Sequence, residues 1–128
     1  MSNPISNYLG VHASALPLRE QRMQLIASNL SNADTPNFKA KDLDFQAALE
    51  QVAARAAPLQ TTHEQHLTLL DASPRLFERA GVQPSLDGNT VDADTERAAY
   101  GRAALEYRAS LSFIESKVRT MLTAITGQ

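Results

Sequence analysis

The sequence predicts a mainly α-helical fold in which two long terminal helices form a coiled-coil-like pair. Two observations predict it: apolar residues recur at alternating spacings of four and three near both ends of the chain, and no such period continues through the middle third. A chain of 128 residues is long enough for one domain and too short for two ordinary ones. We therefore expect a single domain over 1–128, with helices over 5–32 and 94–126 and an irregular middle segment over 33–93.

The carboxy-terminal helix has the clearest apolar pattern. Eight residues follow the four-three spacing: Tyr100, Ala104, Tyr107, Leu111, Ile114, Val118, Met121 and Ile125. Asp92 or Asp94 can cap the start of this helix, and acidic residues in its first turn suit the positive end of the helix dipole. Gly127 is expected to end it.

The amino-terminal helix repeats the pattern with two polar interruptions: Ile5, Leu9, His12, Leu16, Arg19, Met23, Ile26 and Leu30. His12 and Arg19 either face solvent or a subunit boundary, or the helix is not a simple coiled-coil strand. Pro17 is expected to break or kink the helix, unless a new helix begins at Ser14. Asn32 is expected to end it in a left-handed conformation.

The middle segment has weaker signals. A short amphipathic helix is expected around Phe45, Ala48, Leu49 and Val52, and it ends before Pro58. The run Asp87-Gly88-Asn89 has the chemistry of a turn, so this segment contains a loop or a small β-hairpin.

Composition argues against several function classes. Twelve basic and fourteen acidic side chains give a net charge of −2 without a run of basic residues, which does not suit a nucleic-acid partner. The chain has no cysteine and no nucleophile paired with a base, so we expect no enzyme activity, no cofactor and no small-molecule substrate. His63 and His66 are three residues apart, whereas a zinc-protease helix spaces them by four, so we expect no metal there.

Each terminal helix presents one apolar stripe, and the middle segment offers few apolar residues to cover what remains. We therefore expect the helices to complete their core against neighbouring subunits. We name the apolar residues concerned the assembly seam: Leu9, Leu16, Met23, Ile26, Leu30, Tyr100, Tyr107, Leu111, Ile114, Val118, Met121 and Ile125.

The run from Asn29 to Lys39 resembles the amino-terminal signature of flagellar rod, hook and hook-associated proteins. We name the residues that match it the turn motif: Asn29, Asn32, Thr35, Pro36, Phe38 and Lys39. The chain departs from the usual pattern at Asn37, where glycine is usual, and at Phe38, where tyrosine is common. A second match, over 83–92 and continuing through Glu96 and the stretch 105–113, resembles the proximal-rod members of this family.

The resemblance implies a rod-type structural subunit without catalysis, which assembles helically and joins the membrane ring and export gate to the distal rod, so that it transmits torque. Its implied partners are copies of itself, other rod subunits, the membrane ring junction protein and the type III export gate. Its implied location is the periplasmic rod of the basal body, reached without a cleavable signal peptide; residues 1–18 lack the basic start of such a peptide. Phe45 and Leu49 are similar to the export-gate recognition motif of early flagellar substrates, and their alternative role is packing on the subunit's own core.

A competing interpretation keeps the same helices in a small cytosolic binding or chaperone-like adaptor module. A generic adaptor has no need of the turn motif or of the run 83–92, and this distinguishes the two interpretations. Metal-dependent hydrolysis through His63 and His66 is a third and weaker interpretation.

Overall fold

The structure is a computed structural model that describes residues 4–56, 74–81 and 85–127. The described residues form helix α1 (Pro4–Ser31), strand β1 (Lys41–Leu43), helix α2 (Phe45–Ala56), strand β2 (Leu76–Glu78) and helix α3 (Ala93–Thr126). The predicted mainly helical fold with two long terminal helices is confirmed. Within this part of the chain, no helix has the length and apolar character needed to cross a membrane.

Helix α1 is interrupted at Gly10. The expected break at Pro17, or a new helix beginning at Ser14, was wrong. Gly10 has φ 63° and ψ −152°, which is the only non-helical backbone inside α1. This conformation is open almost only to glycine, because a Cβ would clash with the backbone. Pro17 lies inside the continuing helix.

Helix α3 begins and ends as predicted. The side chain of Asp92 accepts hydrogen bonds from the main-chain N–H groups of Asp94 and Thr95 at the first turn. Gly127 ends the helix in a left-handed conformation, with φ 72°.

The two long helices pack side by side in opposite directions. Three contacts along their length fix this direction: Asn29 with Glu96, Arg19 with Glu106, and His12 with Phe113. From one contact to the next, the residue number on α1 falls by the same amount as the residue number on α3 rises, which is the pattern of an antiparallel pair. The turn motif and the start of α3 are therefore brought to the same end of the helix pair.

The two strands form a small antiparallel sheet, with Leu43 opposite Leu76 and Lys41 opposite Glu78. The sheet joins segments on either side of α2, and the turn at Asp87 to Asn89 lies outside it. Helix α2 packs mainly on α1. A buried cluster of Leu18, Leu43 and Ala48 connects α1, β1 and α2, and partly buried Leu25, Phe45, Leu49 and Val52 pack against it.

Candidate functional site

Asn29, the first residue of the turn motif, is buried at the end of α1 and organises its surroundings. Its amide nitrogen donates to the carbonyl of Lys41 at 2.8 Å, and its amide oxygen accepts from the N–H of Lys41 at 3.0 Å. The same nitrogen lies 3.3 Å from a carboxylate oxygen of Glu96. One side chain therefore joins the end of α1 to β1 and to the first turn of α3.

The turn itself is closed by Asn32 and Thr35. The Thr35 N–H donates to the carbonyl of Asn32 at 3.1 Å, and the Thr35 hydroxyl donates to the side-chain oxygen of Asn32 at the same distance. Asn32 was expected to be left-handed, but among the described non-glycine residues only Asn37 has a positive φ, at 60°. The left-handed residue is therefore Asn37, which follows the exposed Pro36, and not the residue that ends α1.

The segment before α3 fastens onto this turn through Asn89. The buried side-chain amide of Asn89 donates to three main-chain carbonyls, those of Asn32, Ala33 and Thr35, at 2.8 to 2.9 Å. These carbonyls follow the end of α1 and have no helical N–H to accept from. The two segments that carry the family resemblance are thus one interlocked unit.

Phe38 and Lys39 extend this unit. The carbonyl of Phe38 accepts from the N–H of Thr90 at 3.0 Å, and the Lys39 ammonium donates to the carbonyl of Gly88 at 2.7 Å. Gly88 itself has φ 73°, and a Cβ there would stand 2.6 Å from the side-chain oxygen of Asn37. The left-handed backbone favours glycine at this position, whereas the close contact is with the end of an exposed side chain that can turn away.

A group of buried charges lies behind the turn motif. Asp42 and Glu96 are both buried, and Arg79 contacts both carboxylates. Arg22 makes two further hydrogen bonds to Asp42, at 3.0 and 3.2 Å. We name these four residues the charge network; together they connect α1, β1, the residue after β2, and α3.

The sequence interpretation missed both Asn89 as a side-chain donor and the charge network. Asn89 was assigned to turn chemistry and Glu96 to the helix dipole, and both lie in the second match to the family, which gave neither side chain a contact. In the structure Glu96, Ala103 and Ser110 are the buried residues of α3, seven residues apart, but their residue types form no apolar pattern in the sequence. No local pattern marks Arg79, because its partners lie in other elements.

Two aspartates near the turn have lowered pKa values. Hydrogen bonds from the main chain of Asn89 and the side chain of Ser85 lower the pKa of Asp87. The capping hydrogen bond from the Thr95 N–H is the largest cause that lowers the pKa of Asp92. Both carboxylates are thus held ionised by the turn and cap that they form.

The assembly seam divides into two parts within the chain. On α1, Ile26 is buried and the other members are half-buried: Leu9, Leu16, Met23 and Leu30. On α3, Tyr107, Ile114 and Met121 are half-buried, whereas Tyr100, Leu111, Val118 and Ile125 are exposed. The buried residues Ala103 and Ser110 each lie one residue before a position of the predicted apolar pattern, Ala104 and Leu111, which is about 100° around the helix. Part of the apolar surface of α3 is therefore left uncovered by α1.

Phe45 and Leu49 lie on one face of α2, and both are half-buried against the cluster around Leu18. The guanidinium of Arg19 stands over the Phe45 ring, 5.1 Å from its centroid. His63 and His66 lie outside the described residues. Among the described residues, no group of histidine, cysteine, aspartate and glutamate has the geometry of a metal site.

Comparisons with known proteins agree on one family. The family described as "Flagella basal body rod protein" matches residues 9–39, which include the turn motif. The chain is 43% identical to flagellar basal body rod protein FlgB of Aeromonas hydrophila, with 93% of this chain and 92% of the relative covered. It is 40% identical to FlgB of Cereibacter sphaeroides over 94% of both chains. It is 36% identical to FlgB of Escherichia coli strain K12, with 98% of this chain and 97% of the relative covered.

The alignments with these relatives extend over nearly the whole chain, from α1 through the turn motif to α3, and are not confined to one segment. Their names describe a structural part of the flagellar basal body. The chain therefore belongs to the FlgB family of flagellar basal body rod proteins, and it is a structural protein of the bacterial flagellum and not an enzyme.

Proposed function

We propose that this chain is a subunit of the proximal rod, which assembles helically with copies of itself and with other rod subunits. In this role it links the membrane ring junction protein and the export gate to the distal rod and transmits torque. The family assignment supports this role over that of a cytosolic adaptor.

The observation that carries the proposal is an apolar flank on α3. We define the α3 flank as Tyr100, Leu111, Val118 and Leu122; their exposed fractions run from 37% to 56%. The spacing places them on one side of the helix, beside the face that contacts α1, over about 33 Å. Burying the part of one such side chain that is still exposed is worth about 1 kcal/mol, so a helix from a neighbouring subunit fits this surface.

The interlocked turn supports the mechanical part of the proposal. Asn89 and the charge network tie the end of α1 to the start of α3 through buried hydrogen bonds and ion pairs. Torque passes through a subunit only if its helices do not slide past one another. A pair joined in this way at one end turns as a unit, which suits a drive shaft.

The export part of the proposal rests on Phe45 and Leu49. The two side chains lie one helical turn apart and form a compact apolar face, which fits a hydrophobic groove on an export gate. In this proposal the gate reads the pair before the chain folds, and the pair packs on the subunit's core afterwards. The chain then reaches the periplasm through the export gate.

Substitutions on α3 test the assembly role. Leu111→Asp is introduced into cells that lack their own copy of the gene, with Ser112→Asp as the matched control on the adjacent, exposed position. Leu111 is 37% exposed in the chain, so a carboxylate there can reach water in the isolated subunit but not in a dry interface. We expect the Leu111→Asp subunit to be secreted but absent from basal bodies, in non-motile cells. Normal swimming with Leu111→Asp would contradict the proposal.

A further inference from the structure

Arg19 links two helices that pack mainly on α1 and not on each other. Its guanidinium stands 5.1 Å from the centroid of the Phe45 ring of α2. One of its terminal nitrogens donates to a carboxylate oxygen of Glu106 on α3, at 2.7 Å. A single side chain of α1 therefore connects α3 with the apolar face of α2.

The Arg19 guanidinium has one ion pair and one ring contact among the described residues. Its Nε atom is buried and finds no hydrogen-bond acceptor within the described part of the chain. Its contacts there are the Phe45 ring and the Glu106 carboxylate, with side-chain exposures of 22% for Arg19 and 38% for Glu106. Loss of the Glu106 carboxylate removes the charged partner that holds one end of this guanidinium beside the ring.

The remaining contacts of Phe45 do not depend on α3. Phe45 packs against Leu18, Leu43 and Ala48, which belong to α1, β1 and α2. If α3 leaves α1, this cluster persists, whereas the acceptor of Arg19 is lost. The long arginine side chain is then free to turn towards water, and the ring loses its cover.

We propose that Arg19 and Glu106 form a latch through which the docking of α3 on α1 covers Phe45. The inference rests on the proposed export role of Phe45 and Leu49, and it gives that role a control: the outer face of the Phe45 ring is open while α3 is undocked and is covered by Arg19 once the helices have paired. A folded subunit is thereby withdrawn from recognition. The latch thereby makes the exposure of the Phe45 ring on α2 depend on whether α3 is docked on α1.

A fluorescence measurement tests the latch without any export machinery. The chain contains no tryptophan, so Phe45→Trp in the full-length chain supplies a unique probe at the covered position. Acrylamide quenching is compared in this background with and without Glu106→Ala. Two controls accompany it: Glu115→Ala makes the same change at an exposed site of α3, and Arg102→Ala removes the second partner of Glu106 at 3.4 Å.

We expect Glu106→Ala to raise the quenching constant and to shift the emission to longer wavelength, while both controls match the parent. Equal quenching in Glu106→Ala and the parent would overturn the latch, as would an equal rise in Glu115→Ala. If circular dichroism shows that Glu106→Ala loses helix, Arg19→Lys decides, since lysine keeps the charge but cannot lie flat on the ring. Quenching must rise in that variant, and an unchanged value overturns the proposal.

A different experiment tests the proposed export role of Phe45 and Leu49. Secretion of the Phe45→Ala, Leu49→Ala double variant reports on recognition, whereas quenching reports on cover. Undiminished secretion together with a rise in quenching in Glu106→Ala would leave the latch as a packing device and remove the recognition role. Reduced secretion with unchanged quenching would keep recognition and remove the latch.

Discussion

The side-chain amide of Asn29 makes two hydrogen bonds with the main chain of Lys41, one in each direction, at 2.8 and 3.0 Å. It thereby takes the position that a neighbouring strand would occupy along the outer edge of β1. Edge strands need such protection, because their free N–H and C=O groups can pair with other chains. The end of α1 and the start of the sheet are therefore held by one residue of the turn motif.

Removing this amide should destabilise the isolated chain. Asn29→Ala leaves the main chain of Lys41 and the buried carboxylate of Glu96 with fewer partners, and we expect a loss of about 2 kcal/mol in the free energy of unfolding. Gln24→Ala, at an exposed position of the same helix, is the control and should change little. Urea unfolding of the two variants measures the difference. Equal midpoints would show that Asn29 is not needed for this junction.

Two glycines should respond to alanine with opposite signs. Gly88 has φ 73° and faces Asn37, so Gly88→Ala should cost about 1–3 kcal/mol. Gly101 lies in the middle of α3 with nothing within 4 Å of an added Cβ, so Gly101→Ala should stabilise by about 0.5–1 kcal/mol. Denaturant midpoints provide the test. A stable Gly88→Ala variant would mean that the turn can open without cost.

The charge network should be far more sensitive than the surface ion pairs. Arg79→Met leaves the buried carboxylates of Asp42 and Glu96 without their shared cation, and we expect a loss of about 3 kcal/mol. Arg97→Met removes the exposed pair with Asp94 and should cost about 0.5 kcal/mol or less. The comparison is made by urea unfolding at neutral pH. Similar small losses in both variants would contradict a structural role for the network.

The cap of α3 should contribute to acid sensitivity. Because the pKa of Asp92 is lowered in the folded chain, its carboxylate stabilises the fold above the ordinary value of 3.8. This contribution is lost as the pH falls below that value and through the lowered pKa. An asparagine at the same position would also cap the helix but does not titrate, so Asp92→Asn should flatten the acid side of the stability profile. An unchanged acid profile, measured by thermal melting from pH 5 downwards, would refute this assignment.

The long helices could be predicted from sequence because their apolar period extends over many turns. The contact face of α3 could not be placed to within one residue, since α3 approaches α1 through Ala103 and Ser110, while the periodicity rule favours the larger Leu111 beside them. Small residues let two helices come close, and a ranking by hydrophobicity overlooks them. This shift of the contact face by one residue matters, because it leaves the α3 flank exposed.

The site was predictable only in part. The turn motif was chosen from a resemblance, and the structure adds which hydrogen bonds Asn29 and Asn32 make there. The break at Gly10 depends on a single glycine conformation, which periodicity does not report. The contacts of Arg79 with Asp42 and Glu96 depend on the three-dimensional meeting of distant elements, which no local spacing indicates.

The central claim is that the α3 flank becomes an interface when the rod assembles. The chain contains no cysteine, so Val118→Cys, at a position 41% exposed in the isolated chain, gives a single site for maleimide labelling. We predict rapid labelling of the purified chain and strong protection in basal bodies isolated from motile cells carrying this variant. Labelling at the same rate in both preparations would contradict the account.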